Sequence, residues 1–129
     1  MNEPLKILIL DDEAGIVGMI EEALQSRGHH VRGETNPALA LRALVREHFD
    51  LVLLDILMPQ ANGLSLISDI RKLQPGAAVV IVSALIDPHL AAVAAQEGST
   101  MCLTKPIDWV HLDRVIQSVQ PQQRSSRTP

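Results

Sequence analysis

The sequence predicts an α/β fold: a doubly wound, five-stranded parallel sheet in the order 2-1-3-4-5, with helices on both faces. Three observations predict it. Four short apolar runs alternate with longer stretches of helical spacing, as expected when parallel strands are buried on both faces and helices make the crossovers. At 129 residues the chain is long enough for one domain and too short for two. Parallel crossovers are nearly always right-handed, which leaves few strand orders for five βα units.

Leu5 to Leu10 reads as the first strand. Ile16, Val17, Ile20 and Leu24 recur at three and four residues and make the first helix, with Gly28 as its stop. His30 to Thr35 is more polar and reads as an edge strand. Asn36-Pro37 is a start signal, an N-cap followed by proline at the first helical position; Ala40 and Leu44 continue one face, and the helix ends near His48. Leu51 to Leu54 is the third strand. Leu66, Ile67, Ile70 and Leu73 form a helix before Pro75-Gly76, and Ala78 to Val82 is the fourth strand. Leu90, Val93 and Ala94 lie on a helix before Gly98, Met101 to Thr104 is the fifth strand, and Leu112, Val115, Ile116 and Val119 come after Asp108 on the last helix. From Gln120 apolar periodicity stops, so the domain is expected to span residues 1–119 and residues 120–129 to be a disordered tail or linker stub.

Composition narrows the function. Eleven basic against fifteen acidic residues give a net charge of -4, and Phe49 and Trp109 are the only large rings, so nucleic-acid binding is not expected. The apolar run Ala77 to Val82, which no other run exceeds, is far shorter than a membrane span, and Met1-Asn2-Glu3-Pro4 does not begin as a signal peptide does. One cysteine, Cys102, cannot form an internal disulfide. These features lead us to expect a cytoplasmic protein. His29, His30, His48, His89 and His111 lie at no metal-binding spacing and read as surface residues. Cys102 reads as a small core residue, and Trp109 either covers the core or serves docking.

In open parallel sheets ligands bind beyond the carboxyl ends of the strands, where the strand order reverses. The residues there are Asp11 and Asp12, Asp55, Ser83 and Lys105. Singly, each has a plain structural reading: the first two as helix caps, Asp55 as a turn residue, Ser83 as a satisfied hydroxyl and Lys105 as a solvated cation. Jointly they need something more. Neighbouring first and third strands would bring the Asp12 and Asp55 carboxylates within a few Å, where like charges repel by ~4 kcal/mol at an effective dielectric near 20. Either one of them takes up a proton or a hard cation binds, and Mg²⁺ suits a few carboxylates, waters and a phosphate oxygen. Beside such a cation and Lys105, Asp55 is placed to attack phosphorus, with Ser83 donating to a phosphoryl oxygen and the loop containing Pro59 and Gly63 holding the backbone open.

From about Leu5 to Val119 the chain resembles the receiver domain of two-component response regulators. The likeness rests on Asp11-Asp12, on Asp55-Ile56-Leu57-Met58-Pro59 with Gly63, on Ser83-Ala84, and on Thr104-Lys105-Pro106. The resemblance implies the flavodoxin-like fold of CheY-type receivers and phosphorylation of Asp55 by the phosphohistidine of a histidine kinase or phosphotransfer protein. It further implies Mg²⁺ held by Asp12, Asp55 and the Leu57 carbonyl with Asp11 assisting through water, Ser83 as the switch hydroxyl, and Lys105 as the family lysine, whose bond to Pro106 is often cis.

One departure stands out: Cys102 occupies the place where the family usually carries Tyr or Phe, so the aromatic half of the switch is missing. Leu57 and Leu85 occupy positions that in the family tune hydrolysis of the acyl phosphate, and as apolar residues they predict slow self-dephosphorylation. The expected protein is a signalling module that modifies itself and is not a turnover enzyme. It would act on a downstream effector protein or domain without binding nucleic acid or membrane, as a monomer or weak homodimer, either alone or as part of a longer protein. Two alternatives remain: a degenerate receiver that only binds partners, and a Mg²⁺-dependent phosphohydrolase. Haloacid-dehalogenase-like enzymes, however, carry a second aspartate where this chain has Leu57.

Overall fold

The computed structural model describes residues 3–58, 61–85, 87–99, 101–119 and 121. Among them lie β1 (Lys6–Leu10), α1 (Ala14–Ser26), β2 (His30–Glu34), α2 (Pro37–Arg46), β3 (Leu51–Asp55), β4 (Leu57–Met58), β5 (Ala61–Asn62), α3 (Gly63–Leu73), β6 (Ala78–Ser83), α4 (Pro88–Glu97), β7 (Met101–Thr104) and α5 (Trp109–Ser118). Five parallel strands form one sheet in the order β2-β1-β3-β6-β7, which is the expected 2-1-3-4-5 of the principal strands. The antiparallel pair β4–β5 is an addition that the sequence does not announce, because two-residue strands carry no periodicity. The expected tail, residues 120–129, lies outside the described residues apart from Pro121.

Strand alternation sorts the core into two layers. Leu8, Leu10, Val52, Leu54, Val79 and Ile81 face α2, α3 and α4, meeting Ala40, Leu44, Leu66, Ile67, Ile70 and Ala94. Ile7, Ile9, Leu51, Leu53, Val80, Val82 and Leu103 face α1 and α5, meeting Val17, Ile20, Leu24, Leu112, Val115 and Ile116. Each fully buried aliphatic side chain contributes about 1.5–3 kcal/mol, so the strands β1, β3 and β6 are the best anchored. Polar groups inside are bonded: Gln74 accepts from the Phe49 N–H and donates to the Leu44 carbonyl, both at 2.8 Å, and Asp50 accepts from the Lys6 N–H at 2.8 Å.

Helix starts are capped where the sequence supplies a short acceptor. Asn36, Asn62, Asp87 and Asp108 each accept backbone N–H groups at the starts of α2, α3, α4 and α5. Gly98 ends α4 in the left-handed region, at φ 113°, where a Cβ would be strained. α2 stops at Arg46, two residues short of the expected end near His48.

The histidines are not all at the surface. His30, His48, His89 and His111 are exposed, but His29 is half-buried and its Nδ1 accepts the Leu5 N–H at 3.0 Å. Burial lowers its pKa, with Asp113 opposing. Cys102 is half-buried against the α2/α3/α4 layer, and burial pushes its thiol pKa up. Trp109 packs on the opposite layer with the Arg27 guanidinium 5.8 Å above its ring, so it covers core.

Candidate functional site

β1 and β3 are neighbours in register, Leu10 beside Leu54, so the residues after each strand emerge side by side at the switch point between β1 and β3. Asp55 is the last residue of β3, paired in register with Val82, and Ser83 comes next on β6, opposite Thr104. Lys105 succeeds Thr104, its N–H bonded to the Ser83 carbonyl at 2.9 Å. Residues far apart in the chain thus share one strand-end pocket.

Within it Asp11, Asp12 and Asp55 each offer a carboxylate oxygen within 4.8 Å of the others. Asp11 and Asp55 are buried, at 3% and 4% exposure, and Asp12 is half-buried. Lys105 Nζ reaches Asp11 Oδ2 at 2.6 Å and Asp55 Oδ2 at 3.2 Å, while Asp55 Oδ1 accepts the Leu57 N–H at 2.9 Å. Asp11 Oδ1 accepts the Glu13 N–H at 2.9 Å. Every oxygen of the two buried carboxylates therefore has a partner in the protein. The resemblance pointed to the Leu57 carbonyl as a metal ligand; the structure shows the Leu57 N–H holding Asp55.

Burial raises the Asp55 carboxyl above its ordinary pKa, with the Asp11 charge acting in the same sense; the Leu57 N–H and Lys105 pull the other way. Burial alone would lower Lys105, but hydrogen bonds and charge from Asp11 and Asp55 outweigh it and raise its pKa. The pocket thus holds more negative charge than one ammonium neutralises. The donor set fits a small hard dication: three carboxylate oxygens lie within a span comparable to the roughly 4.2 Å between opposite ligands of an ion that binds oxygen at ~2.1 Å.

Ser83 is fully buried, and its Oγ lies 3.4 Å from both the N–H and the carbonyl of Leu85. Bonds of that length hold the hydroxyl weakly. Leu57 and Leu85 flank the pocket with 49% and 72% of their surface exposed. Gly63 corrects an expectation. Instead of holding the loop open, it starts α3 directly against the backbone of Ile56, and a Cβ there would collide with the Ile56 main chain. Pro59, its expected companion, lies outside the described residues.

Cys102 stands beside Ile81 in register, on the strand leading to Lys105. The Lys105–Pro106 bond is cis. Glu13, unremarked in the sequence beside the Asp11-Asp12 pair, places its Oε1 3.6 Å from Lys105 Nζ.

The response regulator receiver domain family model matches residues 7–117. The chain is 36% identical over 107 residues to transcriptional regulatory protein GlrR of Escherichia coli strain K12, which covers 83% of this chain and 24% of that protein. It is 31% identical over 102 residues to chemotaxis protein CheY of Thermotoga maritima, covering 78% of this chain and 85% of that one. Among solved structures it resembles a response regulator from Burkholderia pseudomallei with a phosphorylated aspartic acid and a calcium ion. The TM-score is 0.81 at 27% identity, over 89% of this chain and 66% of that one. The chain spans about a quarter of the length of the GlrR-type relatives.

Proposed function

The chain belongs to the response regulator receiver domain family, and from that premise we propose that Asp55 takes a phosphoryl group from the phosphohistidine of a histidine kinase or phosphotransfer protein. The observation that carries the reading is the buried Asp55 carboxylate, oriented at Oδ1 by the Leu57 N–H and at Oδ2 by Lys105. An Asp55 oxygen attacks phosphorus, the P–N bond to the donor imidazole breaks, and its electron pair stays on the leaving nitrogen, which takes up a proton. Lys105 moves from Asp55 Oδ2 to a phosphoryl oxygen, and the weakly held Ser83 hydroxyl turns to donate to another. Asp11, Asp12, Asp55 and the Leu57 carbonyl would hold Mg²⁺, which when bound neutralises charge on the transferred group.

The domain takes in residues 1–119, with residues 120–129 as tail or linker. It modifies itself and turns over no separate substrate. Its output passes by contact to an effector protein or domain, without direct nucleic-acid binding, from a monomer or weak homodimer in the cytoplasm. No helix among the described residues is long and apolar enough to cross a membrane. With Cys102 in the aromatic position, the switch relies on Ser83 and the β6–α4 loop.

Incubation with acetyl phosphate and Mg²⁺ and then intact-mass measurement tests the reading. One added phosphoryl group is expected, lost in Asp55→Asn and in chelator. An unmodified wild-type chain, or equal labelling of Asp55→Asn, would overturn it.

A further inference from the structure

We infer that Glu13 is a specificity residue for the phosphodonor: its carboxylate keeps the mouth of the Asp55 pocket negative and so disfavours small dianionic donors relative to a phosphoryl group delivered on a protein imidazole. The inference rests on the reading of Asp55 as phosphoacceptor. Lys105 Nζ has three carboxylate neighbours, Asp11 at 2.6 Å, Asp55 at 3.2 Å and Glu13 at 3.6 Å. The first two side chains are 4% and 5% exposed, whereas that of Glu13 is 64% exposed. Glu13 is therefore the member of the group that an incoming molecule meets from solvent.

Helix capping does not account for the side chain. Glu13 is the N-cap of α1, yet its side chain accepts no backbone N–H there, and glutamate is not among the favoured caps. Its backbone is fixed instead, by the N–H that Asp11 Oδ1 accepts. Asp12 clusters with Asp11 and Asp55, and Glu13 joins them at Lys105, four carboxylates to one ammonium, so a bound divalent cation still leaves the pocket negative. Removing the Glu13 charge brings that balance to neutrality. Acetyl phosphate, near two negative charges at neutral pH, feels this charge most, and phosphoramidate, which carries one fewer, feels it less. A phosphohistidine on a protein is positioned by the surrounding protein contacts and depends on it least.

The test is the initial phosphorylation rate with acetyl phosphate and with phosphoramidate, read by intact mass at low and high salt, for wild type, Glu13→Gln and Glu13→Asp. Glu13→Gln is expected to raise the acetyl phosphate rate about three- to tenfold at low salt, mostly by lowering the half-saturating donor concentration. The phosphoramidate gain should be smaller, both gains should shrink towards none at about 1 M salt, and Glu13→Asp should stay near wild type. Glu13→Ser removes the charge while supplying a good cap, and it keeps the test available if the Gln variant folds poorly. A Gln or Ser variant matching wild type, or one gaining equally with both donors at all salts, would overturn the inference. A wild-type chain that neither donor labels would instead sink the phosphoacceptor reading beneath it.

Discussion

Burial and the Asp11 charge hold the Asp55 carboxyl above its ordinary pKa. A carboxyl shifted this way stabilises the fold only below its unfolded value of ~3.9, and that contribution is lost as pH rises through the raised folded value. At neutral pH Asp55 therefore destabilises the metal-free fold. Asp55→Asn should raise the Tm in chelator by a few degrees, equivalent to about 1 kcal/mol, and the difference should vanish below about pH 4 in melts recorded across pH. On the proposed reading, Leu57 and Leu85 would act on the product. Neither can hydrogen-bond a water, so the acyl phosphate should hydrolyse slowly, and Leu57→Asn or Leu85→Glu should speed its decay about tenfold in a phosphoryl-lifetime assay. At this scale the sequence was most informative where residue type is itself chemistry: Asp11, Asp12, Asp55, Ser83 and Lys105 were all visible as strand-end polar groups. Glu13 was not, because its pairing with Lys105 depends on a fold that brings residue 105 beside residue 13.

The segment from Asp55 to α3 decides how the Asp55 carboxylate is held. β4 and β5 pair Leu57 with Asn62, Asn62 caps α3 through the Leu64 N–H at 3.0 Å, and Gly63 lets the helix start against Ile56. Gly63→Ala should push that contact apart, destabilise the fold by about 1–3 kcal/mol in urea melts, and slow phosphorylation by displacing the Leu57 N–H from Asp55. Unchanged stability and rate would show that the close approach is dispensable. Helix periodicity was legible throughout because each helix lays one apolar stripe on the sheet, and Asn36-Pro37 marked the start of α2. The β4–β5 pair was not, since a two-residue strand is fixed by tertiary contact and not by pattern. The half-buried state of His29 was hidden for the same reason: the Leu5 N–H that it satisfies comes from a segment 24 residues away.

In the whole molecule, two apolar layers clamp one parallel sheet, and the sheet order alone brings the ends of β1, β3, β6 and β7 to a common pocket. That order was legible because continuous aliphatic runs can only be buried on both faces, and right-handed crossovers then leave few arrangements. A conformational response to phosphorylation was not legible in the same way, because Cys102 stands where the resemblance leads one to expect a ring. On the reading proposed above, the pocket serves to place a phosphoryl group on one carboxylate. Borohydride reduction of the phosphorylated chain, with peptide mass mapping of the product, reads this most directly, since it converts an acyl phosphate to an alcohol at the modified residue. Reduction at position 55 alone is the predicted result. A phosphoryl group that resists borohydride, or one mapped to Ser83 or a histidine, would contradict it.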